Sequence, residues 1–237
     1  MMIRGIIFDY GGTIDSRGDH WSEVIFDQYM ALGLPVSYEQ FRPAYIEGER
    51  ALARARVIMP WHNFHDVMLR KATVQMEYLK SQGMLQGVDA DSVAADIAAR
   101  CYEAARAAVA EARGVLEDLA DELPLALVSN FYGNIDEVLR DFQIRHLFAG
   151  IAESAVLGIR KPDPRIFSVG CIILGLEPAN VLVVGDSLSK DIVPAASIGC
   201  RTAWIRGRQW RGDAIPADAP TPCTLADIPQ IIAADRL

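Results

Sequence analysis

Three aspartates set the chemistry open to this sequence: Asp9, Asp186 and Asp191. Asp9 follows the apolar run Ile6-Ile7-Phe8 and precedes Tyr10-Gly11-Gly12-Thr13, so it reads as a carboxylate carried by a buried strand into a glycine turn that a ligand can approach closely. Asp186 follows a second apolar run, Val181 to Val184, and Asp191 lies beyond it across a strand-to-helix turn. Ser129 and Asn130 end a third run, Leu125 to Val128, and Lys161 stands in the loop Gly158-Ile-Arg-Lys-Pro-Asp-Pro. A carboxylate that attacks a phosphate must overcome like-charge repulsion, which requires a divalent cation between them and donors on the phosphoryl oxygens. Asp186 and Asp191 offer hard oxygen ligands for Mg2+, Lys161 a positive charge for the phosphoryl group, and Ser129 with nearby backbone N–H groups a hold on its oxygens. Singly, these residues have ordinary readings: Asp186 and Ser187 as helix caps, Lys161 as a loop cation, Ser129 as a turn residue. Their recurrence at strand ends, in this order, is the specific signal.

The elements that must position them fall into two textures. Between Asp15 and Gly114 the chain is helical in pattern, an insertion after the first strand. Asp19 can cap a helix from His20 to about Leu32, ended by Gly33 and Pro35; Ser37 with Gln40 has capping-box spacing and opens a second helix to about Arg56. A third runs from about Asn63 to Ser81, with Phe64, Val67, Met68 and Leu79 at near-helical spacing. A fourth, capped by Asp91 or a neighbour, runs to Arg113, with Gly114 as its stop. Thereafter strand and helix alternate, the pattern of a parallel α/β sheet. Asn134 caps a helix through Phe142, a weaker strand lies near Ile151, and Asp163 with Pro164 opens a helix to about Leu174. A helix through Ser197 is stopped by Gly199, Thr202 to Ile205 forms a fifth strand, and a Pro-rich connection from Pro216 to Pro222 precedes a short last helix.

At 237 residues, 51% of them hydrophobic, the chain can fill a core with a smaller partner lobe. With 31 acidic against 23 basic residues it has no basic footprint, which argues against nucleic acid and anionic membranes and for a small-molecule substrate. Cys101, Cys171, Cys200 and Cys223 are scattered without metal-ligand spacing, which fits a reducing compartment. No apolar run approaches a membrane span and no signal-peptide core precedes the first strand, so the expected location is cytoplasmic, as monomer or homodimer.

Asp9-Tyr-Gly-Gly-Thr, Ser129, Lys161 before Pro162, and Gly185-Asp-Ser with Asp191 together resemble, in order, the four motifs of the haloacid dehalogenase-like hydrolase superfamily. The resemblance covers essentially the whole chain. It implies an α/β fold, a Rossmann-like parallel sheet core formed by residues 1–15 and 113–237 with a helical cap, residues 16–112, inserted after the first motif. It further implies a phosphohydrolase in which Asp9 becomes a phosphoaspartate. Mg2+ would be held by Asp9, the Gly11 carbonyl and Asp186 with Asp191 in support, and a small phosphorylated molecule would be bound by Ser129, Asn130 and Lys161.

One position departs from the pattern. Family phosphatases usually carry a second aspartate two places after the nucleophile as general acid and base, and here that residue is Gly11. The loss is worth roughly 100- to 10,000-fold in rate, so slow or leaving-group-dependent turnover is expected. His20, Asp15 and Asp19 are near enough in sequence to stand in, although capping and surface roles suit each. The phosphonatase branch also lacks the aspartate and uses a cap lysine; Lys71 and Lys80 are the candidates, both read as solvated-face residues of an amphipathic helix. The metal-free dehalogenase branch is disfavoured by Asp186 and Asp191. A non-catalytic relative that binds metal and ligand, or a partner protein, is the alternative from another class. Trp61-His-Asn-Phe-His65 could touch substrate but suits packing, and Arg206, Arg208, Trp210 and Arg211 read as a solvated loop.

Overall fold

The computed structural model describes residues 2–54, 57–211 and 215–235. The apolar runs form strands β1 (Gly5–Phe8), β2 (Leu125–Ser129) and β4 (Val181–Gly185), and with β3 (Phe148–Glu153) and β5 (Arg201–Trp204) they make a parallel sheet of order β3-β2-β1-β4-β5. Period-two alternation assigns the faces. Ile6, Phe8, Leu125, Leu127, Leu182 and Val184 enter one apolar cluster, while Ile7, Ala126, Val128, Val181 and Val183 enter the other. This is the α/β, Rossmann-like sheet that the strand–helix alternation predicts.

Helices α1 (Trp21–Ala31), α2 (Tyr38–Arg54), α3 (Phe64–Ser81) and α4 (Ala90–Glu122) form a lobe beside the sheet, and share a single apolar cluster with one sheet face. The expected end of α2 at Arg56 lies outside the described residues. Ser37 and Gln40 make the reciprocal bonds of a capping box, and Asn63 with Asp66 makes another at α3. Three local expectations are corrected. His20 caps α1 through Nδ1, while Asp19 pairs with Arg208. α4 is capped by Asp89, a neighbour of Asp91 as expected, but it does not stop at Gly114 and continues to Glu122, because buried Leu116 and Leu119 extend its apolar stripe. An excision at residue 112 would therefore cut a helix. At α5 (Ile135–Asp141) Asn134 makes no capping bond; Glu153 at the end of β3 accepts from the Gly133 and Asn134 amides instead.

After β3 come α6 (Ser154–Leu157) and α7 (Arg165–Leu174), with Asp163 accepting from the Arg165 amide. Between β4 and α8 (Val193–Ser197) lies a π-helical turn, Leu188–Ile192, and α9 (Ile228–Asp235) closes the chain. Among the described residues no helix is long and apolar enough to cross a membrane.

Candidate active site

Register brings the sequence-predicted residues together. Phe8 pairs with Leu127 on one side and Val184 on the other, so Asp9, Ser129 and Asp186 leave the carboxyl ends of three adjacent strands at nearly one level. β1 is where the strand order reverses, the place in open α/β sheets where ligands bind. Lys161 reaches in from its loop, with Nζ 2.6 Å from Asp9 Oδ1 and 2.7 Å from Asp191 Oδ1. Asn130 anchors that loop: Lys161 N donates to Asn130 Oδ1 at 2.9 Å and Asn130 Nδ2 donates to the Lys161 carbonyl at 3.0 Å. Its carboxamide is thus committed to holding Lys161 in place. Asp191 sits on the π-helical turn and accepts from the Ser187 amide at 3.0 Å. Gly12 has φ +95°, and a side chain there would collide with the Asp186 carboxylate; one at Gly185 would collide with Asp191.

Asp9, Asp186 and Asp191 are buried, and each contributes an oxygen to a set lying within 4.8 Å of one another. Three buried carboxylates share one buried ammonium, Lys161, while the exposed Arg160 and Lys190 line the same cavity. The titration behaviour reflects that sharing. Burial, then Asp191 and Asp9, push the Asp186 carboxyl well above its ordinary range; burial and Asp9, opposed by Lys161, raise Asp191 to about 6. Lys161 is displaced upward because its two carboxylate partners outweigh the desolvation that opposes its charge. Three hard oxygen donors lying within 4.8 Å of one another, with a single ammonium among them, fit a divalent cation of the Mg2+ class.

The site opens into a cavity of about 210 Å³ whose far wall belongs to the helical lobe. Two readings of that wall are corrected. Lys71 is not on a solvated face: it is 4% exposed, with Nζ 2.6 Å from Glu49 Oε1, and Glu49 Oε2 accepts from the Tyr132 hydroxyl at 2.8 Å. Its spacing carried the signal, since Phe64, Val67, Lys71 and Gln75 recur on the buried stripe of α3. The loop after β5 keeps Arg206, Arg208 and Arg211 exposed, as expected, but half-buries Trp210 and is tied to the helical lobe. Arg208 pairs with Asp19 and Asp27, Arg211 pairs with Glu23 and lies 3.9 Å from the Tyr38 ring centroid, and Trp210 contacts His20 and Tyr45. Glu49, Tyr132 and Trp210 had no motif to announce them. In Trp61-His-Asn-Phe-His65, Phe64 is buried and lines the cavity, whereas Trp61 is exposed.

Each candidate for the absent acid is engaged elsewhere. Asp15 lines the cavity, raised to about 7 by burial, but Oδ1 accepts from Gly12 N at 2.8 Å and Oδ2 from Trp21 Nε1 at 3.0 Å. His20 is lowered to about 4 by burial and the Lys190 charge, and its Nδ1 accepts from Ser22 N. Asp19 is held by Arg208. A β-carbon added at Gly11 would meet no atom within 4 Å.

Against known proteins, the family model for haloacid dehalogenase-like hydrolase matches residues 3–199. Haloacid dehalogenase-like hydrolase domain-containing protein 3 of Bos taurus is 32% identical over 98 residues, 41% of this chain and 39% of that protein. The phosphoserine phosphatase of Thermus thermophilus is 34% identical over 105 residues, 44% of this chain and 40% of that protein. These matches thus span about two fifths of either relative's length. The magnesium-bound crystal structure of the HAD-hydrolase YfnB from Bacillus subtilis superposes with a TM-score of 0.55 at 21% identity, covering 98% of this chain and 99% of that one. Since the family match runs from the first strand to the end of α8, taking in Asp9, Ser129, Lys161, Asp186 and Asp191, the chain belongs to the haloacid dehalogenase-like hydrolase family.

Proposed function

We propose that the protein is a Mg2+-dependent phosphohydrolase acting through an aspartyl-phosphate on a small phosphorylated molecule, and that residues 16–112 act as its cap. The observation that carries this reading is the meeting of three buried carboxylates and one ammonium at the switch point of the sheet. Asp9, the Gly11 carbonyl and Asp186 would hold the cation, with Asp191 supporting, and when bound it would offset the charge of carboxylates and phosphoryl group together. An Asp9 oxygen attacks phosphorus, the bond from phosphorus to the leaving-group oxygen breaks, and that oxygen departs with the electron pair. Lys161 holds the Asp9 carboxylate by one oxygen and supplies positive charge to the phosphoryl group. Ser129, at the end of β2 and lining the cavity, binds a phosphoryl oxygen. Water then attacks phosphorus, the bond to Asp9 breaks, and the aspartate is regenerated. Relatives named as phosphatases, the phosphoserine phosphatase of T. thermophilus and the glyceraldehyde 3-phosphate phosphatase of Methanopyrus kandleri among them, agree in reaction type.

A phosphonatase-type imine would need Lys71, which does open on to the cavity, as a neutral amine. Its pKa is displaced upward, with Glu49 overcoming the effect of burial, so the ammonium is stabilised and this reading is disfavoured.

The test is to incubate the protein with acetyl phosphate, with Mg2+ present or chelated, and follow the mass of the intact chain. A phosphoryl adduct is expected on the wild type with Mg2+ only and not on Asp9→Asn, whose melting temperature should stay close to wild type. An adduct on Asp9→Asn would sink the covalent mechanism. Stabilisation by Mg2+ without any adduct would favour the non-catalytic binder.

A further inference from the structure

The cavity wall opposite Asp9 takes no part in the phosphoryl chemistry, yet it is built from buried and half-buried groups that contact one another. Glu49 of α2, Lys71 of α3 and Tyr132 of the loop after β2 form one bonded set at 2.6 and 2.8 Å. Beside it, the rings of His20, Tyr45 and Trp210 stand in mutual contact, with centroids 5.8 Å apart for His20 and Tyr45 and 5.2 Å for each ring to Trp210. All six residues line the cavity, and Trp210 comes from the core while the other two rings come from the α1 cap and α2.

The two halves of this wall ask different things of a leaving group. Flat faces favour a flat ring, because offset and edge-on ring contacts add about 0.5–1.5 kcal/mol beyond area burial. The Glu49–Lys71 pair is neutral in sum, so it offers little to a charged group, but a hydroxyl can donate to a remaining carboxylate lone pair and accept from a remaining ammonium N–H. The chemistry at Gly11 points the same way independently. With no acid beside the leaving oxygen, a phenol, whose pKa is about 10, departs far more readily than an alkyl alcohol.

We propose that the substrate is the phosphate monoester of a hydroxylated aromatic ring, its ring seated among His20, Tyr45 and Trp210 and its free hydroxyl read by Glu49, Lys71 and Tyr132. This rests on the phosphohydrolase reading above. These residues are specificity determinants and not catalytic residues, so their signature lies in KM more than in kcat.

The experiment compares phenyl phosphate, 3- and 4-hydroxyphenyl phosphate, cyclohexyl phosphate, O-phosphoserine and acetyl phosphate. A ring hydroxyl leaves the acidity of the phenol nearly unchanged, so a preference for it reports recognition. The better hydroxyphenyl ester should exceed phenyl phosphate in kcat/KM by about tenfold, as expected for one added hydrogen bond to a charged group. Glu49→Gln and Tyr132→Phe should each bring that ratio towards one, chiefly through KM, and Trp210→Leu should weaken all aryl esters by about three- to tenfold. Asp9→Asn, titrated calorimetrically with the same esters and Mg2+, should show the same order of Kd without turnover. Equal kcat/KM for aryl and cyclohexyl esters, a preference for O-phosphoserine, or an unchanged hydroxyl preference in both Glu49→Gln and Tyr132→Phe would overturn the proposal. Acetyl phosphate separates the two levels. If it phosphorylates Asp9 while the aryl preference is missing, only the substrate class falls; if neither it nor any aryl ester does, the phosphohydrolase reading falls and takes this one with it.

Discussion

The two walls of the cavity each bury a lysine against carboxylates, and they differ in what is left over. Lys161 faces Asp9 and Asp191 with Asp186 close by, so on the core wall one buried ammonium is shared among three buried carboxylates, the other cations, Arg160 and Lys190, being exposed. Lys71 faces Glu49 alone, and the Tyr132 hydroxyl completes a neutral set. The supports differ too. On the core wall, strand ends, the glycines at 12 and 185 and the Asn130 anchor fix each carboxylate to the sheet. On the far wall, two helices and two loops from distant parts of the chain must come together first. Unbalanced charge belongs where a cation and a phosphoryl group must be bound and a barrier lowered, and balanced charge where the remainder of a molecule is only to be recognised.

The largest expected effect sharpens that division by adding to the core wall what it lacks. Gly11→Asp would place a carboxyl beside the leaving oxygen, with no atom within 4 Å of the new β-carbon. Turnover of an alkyl phosphate such as cyclohexyl phosphate should rise by roughly 100- to 10,000-fold, while aryl esters, which need no proton, gain much less. Steady-state kinetics on both esters decide it. A well-folded Gly11→Asp with no alkyl gain would mean that a group on the far wall already supplies the proton, and the division of labour would fail.

The same division explains what could be read from sequence. Asp9, Ser129, Lys161, Asp186 and Asp191 each stand beside a short apolar run or a Gly/Pro loop, so local pattern announced both strand and site, and the five-stranded order followed. The far wall has no such local grammar. Lys71 was read as solvated because lysine usually is, although its place on the stripe of Phe64, Val67 and Gln75 marked it as buried. Trp210 and Arg208 depend on pairings across the whole chain, with Tyr45, Asp19 and Asp27, which no spacing reveals. Gly114 misled for the opposite reason. Glycine is a weak stop when the apolar stripe continues, at a cost of about 1 kcal/mol within a helix.

Removing each lysine in turn measures the difference in charge directly. In chelator, Lys161→Met should lower unfolding free energy by about 3–5 kcal/mol, since it leaves buried carboxylates uncompensated. Lys71→Met should lose only about 1–3 kcal/mol, because the Glu49 side chain is 32% exposed and keeps the Tyr132 hydroxyl. Mg2+ at about 100 times its Kd should return about 2.7 kcal/mol to Lys161→Met and no more to Lys71→Met than to wild type. Urea titrations with and without Mg2+ read both values. Equal losses, or an extra Mg2+ rescue specific to Lys71→Met, would show that the far wall is not neutral.

The smallest effect concerns His20, where the walls meet. Burial, then the Lys190 charge, holds its imidazole near pKa 4 in the folded chain against 6.5 unfolded. Between those values the unfolded chain binds the extra proton, so the neutral ring's contribution is present above pH 6.5 and lost as pH falls towards 4. From pH 7 to pH 5 that amounts to about 2 kcal/mol, reduced to about 1 kcal/mol for a ring only partly removed from water. His20→Gln keeps an acceptor for the Ser22 amide but has no proton to gain, so the difference in unfolding free energy between pH 7 and pH 5 should shrink by that amount relative to wild type. Asp15, raised to about 7, works in the opposite sense, stabilising as pH falls, and it is present in both proteins, so it cancels in the comparison. A wild-type and His20→Gln pair with the same pH slope would show that the imidazole takes up its proton as readily in the folded chain as in the unfolded one, so that below pH 6.5 the triangle with Tyr45 and Trp210 would hold a cation against two aromatic faces rather than a neutral ring.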